Sequence, residues 1–279
     1  QLHRRQRQMC IRDSSWTLYG DIDGEGAGDA SGFSVSISSD GKRVAIGAVY
    51  NDGNGSNSGH VRIYENTSGS MWTKLGSDID GEAAGDYSGR GVSLSSDGSR
   101  VAIGAINNDG NGSNSGHVRV FEYQVISGTA TWTQLGQDID GEAESDESGS
   151  SISLSSDGSR VAIGAMVNGH VRIYDYNGSA WVQVGADIDG EAAGDQSGSS
   201  VSLSSDGSRV AIGARENDGN GAAAGHVRIY DYDGSSWVKV GVDIDGEAAG
   251  DKSGYSVSLS SDGSKIAIGA PYNLSLIHI

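Results

Sequence analysis

Apolar residues fall along this chain in short runs that alternate with small polar ones at a period of two. The first run is Ser34-Val35-Ser36-Ile37-Ser38. Arg43-Val44-Ala45-Ile46-Gly47-Ala48 follows after a Ser-Asp-Gly, and Gly59-His60-Val61-Arg62-Ile63-Tyr64 comes after a polar loop. Alternation of this kind puts successive side chains on opposite faces, so each run predicts a half-buried β-strand. The pairs Asp40-Gly41, Asp97-Gly98, Asp157-Gly158, Asp206-Gly207 and Asp262-Gly263 separate the first two runs of successive groups. Both residues of such a pair tolerate positive φ, which a two-residue hairpin requires. Asn177-Gly178 and Asp233-Gly234 predict a second hairpin ahead of a tryptophan-bearing run.

The whole pattern repeats. Copies start near Trp16, Trp72, Trp132, Trp181 and Trp237, and each tryptophan is followed by Asp-Ile-Asp-Gly-Glu. Four copies are complete; the fifth stops after Ala270-Pro271-Tyr272-Asn273, ahead of its Gly-His-Val-Arg run. Four strands in about 50 residues is the size of a propeller blade. The sequence therefore predicts an all-β chain, a β-propeller of four-stranded antiparallel blades over residues 14–273, with about five repeats and an incomplete ring. A solenoid of β-hairpins is the rival architecture. One strand face carries Val, Ile and Leu and the other Ser, Ala and Gly, a pairing that lets neighbouring sheets pack closely.

Linker lengths order the strands within a blade. The longest, Asp-Ile-Asp-Gly-Glu-Ala-Ala-Gly-Asp, runs from the tryptophan strand to the next Ser-Val-Ser run. A propeller needs its longest crossing between the outermost strand of one blade and the innermost strand of the next. The tryptophan strand is therefore expected outside and the Ser-Val-Ser strand inside. Strand alternation then places the acidic crossings and the Asn-Asp-Gly-Asn-Gly loops (Asn51–Gly55 in the first copy) on one end of the propeller, with the tight hairpins on the other.

Composition narrows the partners. The net charge of -18 disfavours nucleic acid and anionic membranes and suits a cationic partner, a divalent metal or a salty environment. No apolar stretch approaches the length of a transmembrane helix, so membrane insertion is not expected. Cys10 is alone and implies no disulfide framework.

The two ends have a different origin. Leu274-Ser275-Leu276-Ile277-His278-Ile279 is the translation of CTGTCTCTTATACACATC, and the reverse complement of that DNA, one base out of frame, encodes Met9-Cys10-Ile11-Arg12-Asp13. One transposase-type sequencing adapter on opposite strands accounts for both, so residues 1–13 and 274–279 are read as adapter-derived and kept out of the fold. Without Arg4, Arg5, Arg7, Arg12 and Asp13 the remainder is more acidic still.

Ser253-Gly254-Tyr255-Ser256-Val257-Ser258, running on to Ile268-Gly269-Ala270-Pro271, resembles the FG-GAP repeat of integrin α-subunits and of many bacterial surface proteins. The resemblance recurs in all five copies and implies a propeller that is secreted or held at the cell surface. Three departures stand out. Serine replaces the phenylalanine of the motif at Ser31, Ser88, Ser148, Ser197 and Ser253, and the closing proline appears only at Pro271. The calcium loop that integrin repeats carry between their first two strands is here a bare Ser-Asp-Gly hairpin, too short to wrap a cation with six to eight oxygens. That calcium site is not carried over.

The acidic crossings are the candidate metal sites. They offer Asp21, Asp23, Glu25 and Asp29; Asp78, Asp80, Glu82 and Asp86; Asp138, Asp140, Glu142 and Asp146; Asp187, Asp189, Glu191 and Asp195; and Asp243, Asp245, Glu247 and Asp251. Calcium takes glycine-jointed carboxylate loops of this kind; a solvated connection, its Asp side chains bonded to their own backbone, is the alternative. His60, His117, His170 and His226 hold equivalent positions that blade symmetry keeps apart, and Arg62, Arg119, Arg172 and Arg228 stand two residues on, placed to pair with nearby acids. No nucleophile elbow is accompanied by a placed His and Asp, and near-identical copies argue against a unique catalytic pocket. The expectation is a non-enzymatic, extracellular or cell-surface binding or adhesion module with a protein or glycan ligand on its acidic loop face. The alternatives are a lectin-like propeller with pockets between blades and an ancillary domain of a larger secreted hydrolase.

Overall fold

The computed structural model describes residues 20–67, 71–192 and 194–273. The adapter-like ends and the Trp16 run lie outside the described residues. Every described element is a strand. The first blade comprises β1 (Ser31–Ile37), β2 (Arg43–Ala48), β3 (His60–Glu65), β4 (Thr73–Lys74) and β5 (Ile79–Asp80). The second has β6 (Ser88–Leu94), β7 (Arg100–Ala105), β8 (His117–Ile126), β9 (Thr129–Gln134) and β10 (Ile139–Asp140). The third has β11 (Ser148–Leu154), β12 (Arg160–Ala165), β13 (His170–Tyr176), β14 (Trp181–Gln183) and β15 (Ile188–Asp189). The fourth has β16 (Ser197–Leu203), β17 (Arg209–Ala214), β18 (His226–Tyr232), β19 (Trp237–Lys239) and β20 (Ile244–Asp245). A two-stranded sheet, β21 (Ser256–Leu259) and β22 (Ile266–Gly269), follows.

Four antiparallel blades thus stand in a propeller ring, each ordered from the Ser-Val-Ser strand inward to the tryptophan strand outward. The expected four strands gain a fifth. The first residues of each crossing are not loop but a two-residue strand on the N-terminal half of the blade's third strand, with Asp80 opposite His60 and Asp140 opposite His117. The tryptophan strand pairs the C-terminal half of the same strand, as Trp181 does with Tyr176.

Blades join face to face through branched side chains, with alanine as the small residue on one side. Ala45, Val61 and Ile63 of the first pack against Leu94, Val101, Ile103 and Phe121 of the second, and Ala162, Val171 and Ile173 of the third meet Val201, Leu203, Val210 and Ile212 of the fourth. Each such branched side chain taken from water contributes roughly 1.5–3 kcal/mol. Nearer the axis the backbones themselves touch: the Gly47, Gly104, Gly164 and Gly213 Cα atoms lie against Gly89, Gly149, Gly198 and Gly254, with no room for a side chain. A string of amide hydrogen bonds circles the axis at the hairpin end, with Ser39 N–H on Ser96 O, Ser96 on Ser156, Ser156 on Ser205 and Ser205 on Ser261. Farther out, Arg43, Arg100, Arg160 and Arg209 each donate to a hairpin glycine carbonyl of the following blade, Gly98, Gly158, Gly207 and Gly263. The bulky face of the first blade has no such cover among the described residues: Val35 and Ile37 are 64% and 60% exposed, where their counterparts Val201 and Leu203 are 8% and 7%.

The third copy lacks the Asn-Asp-Gly-Asn-Gly insertion, yet its strands keep register. Ala165 faces His170 as Ala105 faces His117. The deletion is confined to a loop.

Candidate functional site

The crossings and the Asn-Asp-Gly loops share one end of the propeller and bind each other there. Asn54 Nδ2 donates to the carbonyls of Gly81 and Glu82, and Asn111 Nδ2 to those of Gly141 and Glu142, so each loop holds the crossing that leaves its blade. The last carboxylate of each crossing works inside this scaffold. Asp86 is buried and accepts from the Ala83 amide at 3.0 Å and from Asn108 Nδ2 at 3.1 Å. Asp29, Asp195 and Asp251 accept likewise from Asn51, Asn217 and Asn273. Asp146 accepts from Asn168, which takes over this role despite the shortened loop.

The residue before each Ser-Gly adopts a left-handed backbone, with φ of 54° at Ala30, 55° at Tyr87, 52° at Glu147, 55° at Gln196 and 55° at Lys252. Non-glycine residues hold that conformation at a cost, met here by the surrounding hydrogen bonds. At Tyr87 it sets the side chain beside a cavity of about 730 Å³. Glu82, Asp86, Asp109, Asp138 and Asp140 supply carboxylates to its wall, and Asn107, Asn108 and Asn114 supply amides. Burial raises the pKa of Glu82, with Arg119 opposing and Asp138 reinforcing the shift. Burial and the charge of Asp138 raise that of Asp140.

Beneath the crossings lie the histidines. They do not converge on one another; His60, His117 and His226 each meet the acids of the two crossings that flank their own blades. Glu25, His60 and Asp78, then Glu82, His117 and Asp138, then Glu191, His226 and Asp243 each bring three ligand atoms within 4.8 Å of one another, and such groups can hold a metal ion. Asp21, Asp23, Asp189, Asp245 and Glu247 belong to none of these three groups, and neither do Glu142 and Asp187 of the third blade, although Arg172 reaches Glu142 at 3.6 Å. The arginines secure the crossings: Arg62 Nη2 donates to the Asp23 carbonyl at 2.9 Å, Arg119 Nη2 to Asp80 at 2.6 Å and Arg172 Nη2 to Asp140 at 2.7 Å. Burial, then the neighbouring Arg119, holds the His117 pKa down to about 4, and burial lowers those of His60 and His226.

Sequence reasoning placed the acids and the Asn loops on one face but not the histidines among the acids. The signal was present in the recurrence of one His and one Asp-Ile-Asp crossing in every complete copy. Reading it requires the two-residue strand that folds the crossing back on the third strand.

Residues 22–64 and 78–121 match the FG-GAP repeat family. No curated protein matches the chain. Solved structures that share its fold include three from bacteria. Kuenenia stuttgartiensis hydrazine synthase superposes with a TM-score of 0.55 at 16% identity over 89% of this chain and 58% of that one. A functionally unknown protein from Desulfotomaculum acetoxidans gives 0.58 at 11% identity, over 87% and 63%. Pseudomonas aeruginosa periplasmic gluconolactonase PpgL gives 0.55 at 15%, over 84% and 63%. The chain spans about six-tenths of these structures. Two of them are enzymes, which corrects the expectation of a non-enzymatic module drawn from repetition. The physical reason is visible here: repeated strands carry unequal loops, as the third blade's shortened one shows, so one blade can bear a pocket that its copies lack. Repetition does not exclude catalysis.

Proposed function

Because the chain is an FG-GAP-type repeat protein folded as a β-propeller, we propose that it is a ligand-binding module, secreted or displayed at the cell surface, whose acidic loop face takes up a hydroxyl-rich ligand of the glycan type. The cavity over the second blade carries this reading. Its carboxylates accept hydrogen bonds, its amides donate and accept them, and Tyr87 adds an aromatic side chain to the lining. A polyol matches that lining, whereas an anionic ligand would meet five carboxylates. An adhesive role follows where the glycan belongs to another cell or to a matrix.

Calcium belongs to the same reading. The oxygen-only part of the cavity, at Asp109 and Asp140, supplies the hard ligands that calcium prefers. A melting temperature unchanged by millimolar calcium overturns that part. A glycan array incubated with the full chain tests the main proposal. Saturable binding to a restricted set of oligosaccharides supports it, and an array without a bound oligosaccharide overturns it.

A further inference from the structure

His117 is 1% exposed, and neither of its ring nitrogens has a hydrogen-bond partner. Buried imidazoles normally donate from one nitrogen and accept at the other, and leaving both unmet is costly. The surroundings of Nδ1 show what would meet it. Glu82 Oε2 lies 3.8 Å away and Asp138 Oδ2 4.0 Å away. These distances are too long for hydrogen bonds and suit a small cation lying between the three atoms.

The remaining carboxylate oxygens are already committed, which aims these two. Arg119 Nη1 stands 3.5 Å from Glu82 Oε1, and Gln134 Nε2 donates to Asp138 Oδ1 at 2.6 Å. Each acid therefore keeps one oxygen for the histidine side. Asp140, another residue of the cavity wall, adds a further negative charge against the single positive charge of Arg119.

We infer that Glu82, His117 and Asp138 form a binding site for a divalent transition-metal ion of borderline softness, zinc-like rather than calcium-like. One imidazole nitrogen and two carboxylate oxygens are the donor set such ions take, whereas calcium selects oxygen alone. Glu82 is exposed and free to close the last few tenths of an ångström onto the ion. The equivalent acids in two other blades are engaged by basic side chains, Asp78 by Lys74 and Asp243 by Arg228 and Lys239. The second-blade site is accordingly the tightest. Glu82 and Asp138 also line the cavity, so an ion held there leaves coordination positions facing it. The metal site does not depend on the chemical class of the cavity's ligand.

Cobalt(II) is the probe, titrated into the full chain without an affinity tag while visible absorption is followed. Saturable ligand-field bands that zinc displaces and excess calcium leaves in place are expected. Glu82→Gln, with an unchanged far-ultraviolet circular dichroism spectrum, should bind one equivalent fewer. His117→Gln provides a second check where it folds. The inference is overturned by an absence of saturable cobalt binding, by an unchanged stoichiometry in folded Glu82→Gln, or by displacement with calcium.

Discussion

The indole N–H of Trp181 donates to the carbonyl of Leu135 at 2.7 Å, tying the outermost strand of the third blade to the end of the second. Trp132 and Trp237 repeat the contact on Leu75 and Val184. In these three copies the tryptophan that marks the repeat is thus an inter-blade latch with its ring in the interface. Trp181→Phe should keep most of the packing and leave the Leu135 carbonyl unmet, a loss of about 1–3 kcal/mol. Trp181→Ala should lose about 3–5 kcal/mol. Urea unfolding of both variants checks the order; equal losses would mean that the hydrogen bond contributes nothing.

A second prediction separates close approach from backbone strain. A Cβ on Gly164 would stand 2.1 Å from the Gly198 carbonyl oxygen of the next blade, and backbone there cannot yield. Gly178 sits in a hairpin with φ of 99° and open space around it. Gly164→Ala should therefore cost about 3 kcal/mol by forcing blades apart, and Gly178→Ala about 1 kcal/mol by backbone strain alone. Denaturant midpoints of the two proteins decide it, and a reversed order contradicts the inter-blade geometry.

The histidines predict how stability responds to acid. His117 titrates at about 4 in the fold, below its ordinary 6.5, because burial disfavours the imidazolium. The unfolded chain therefore takes up the proton first. The contribution of His117 is complete above pH 6.5 and is lost as pH falls from there through about 4. His60 and His226 shift in the same direction. Melting temperature should decline steadily across that window, and His117→Gln should flatten the decline. A flat profile in the parent protein would contradict the burial of these rings.

Much of this was legible in the chain itself. The period-two runs, the Asp-Gly hairpins and the unequal linkers are local features, and they yield the strands, their order and the shared acidic end. The unread part depends on register. His60 meets Asp80 only because β5 pairs β3, a partnership across 20 residues that no local pattern announces. The inter-blade role of Arg43 was equally hidden, since its partner Gly98 belongs to the next copy. The fate of Asp86 was hidden too: its carboxylate looks like a ligand in the sequence and is spent on Ala83 and Asn108 in the fold.

The central claim is that ligand binding belongs to the loop end, at the cavity over the second blade. The most direct measurement is oligosaccharide binding by three proteins side by side: the parent chain, Asn107→Ala with Asp109→Asn on the cavity wall, and Lys42→Ser in an exposed hairpin at the opposite end. The parent and Lys42→Ser should bind alike, and the cavity variant should lose at least about tenfold in affinity, roughly 1.4 kcal/mol, with its melting temperature unchanged. Undiminished binding by the cavity variant, or loss in Lys42→Ser, would place the site elsewhere on the propeller.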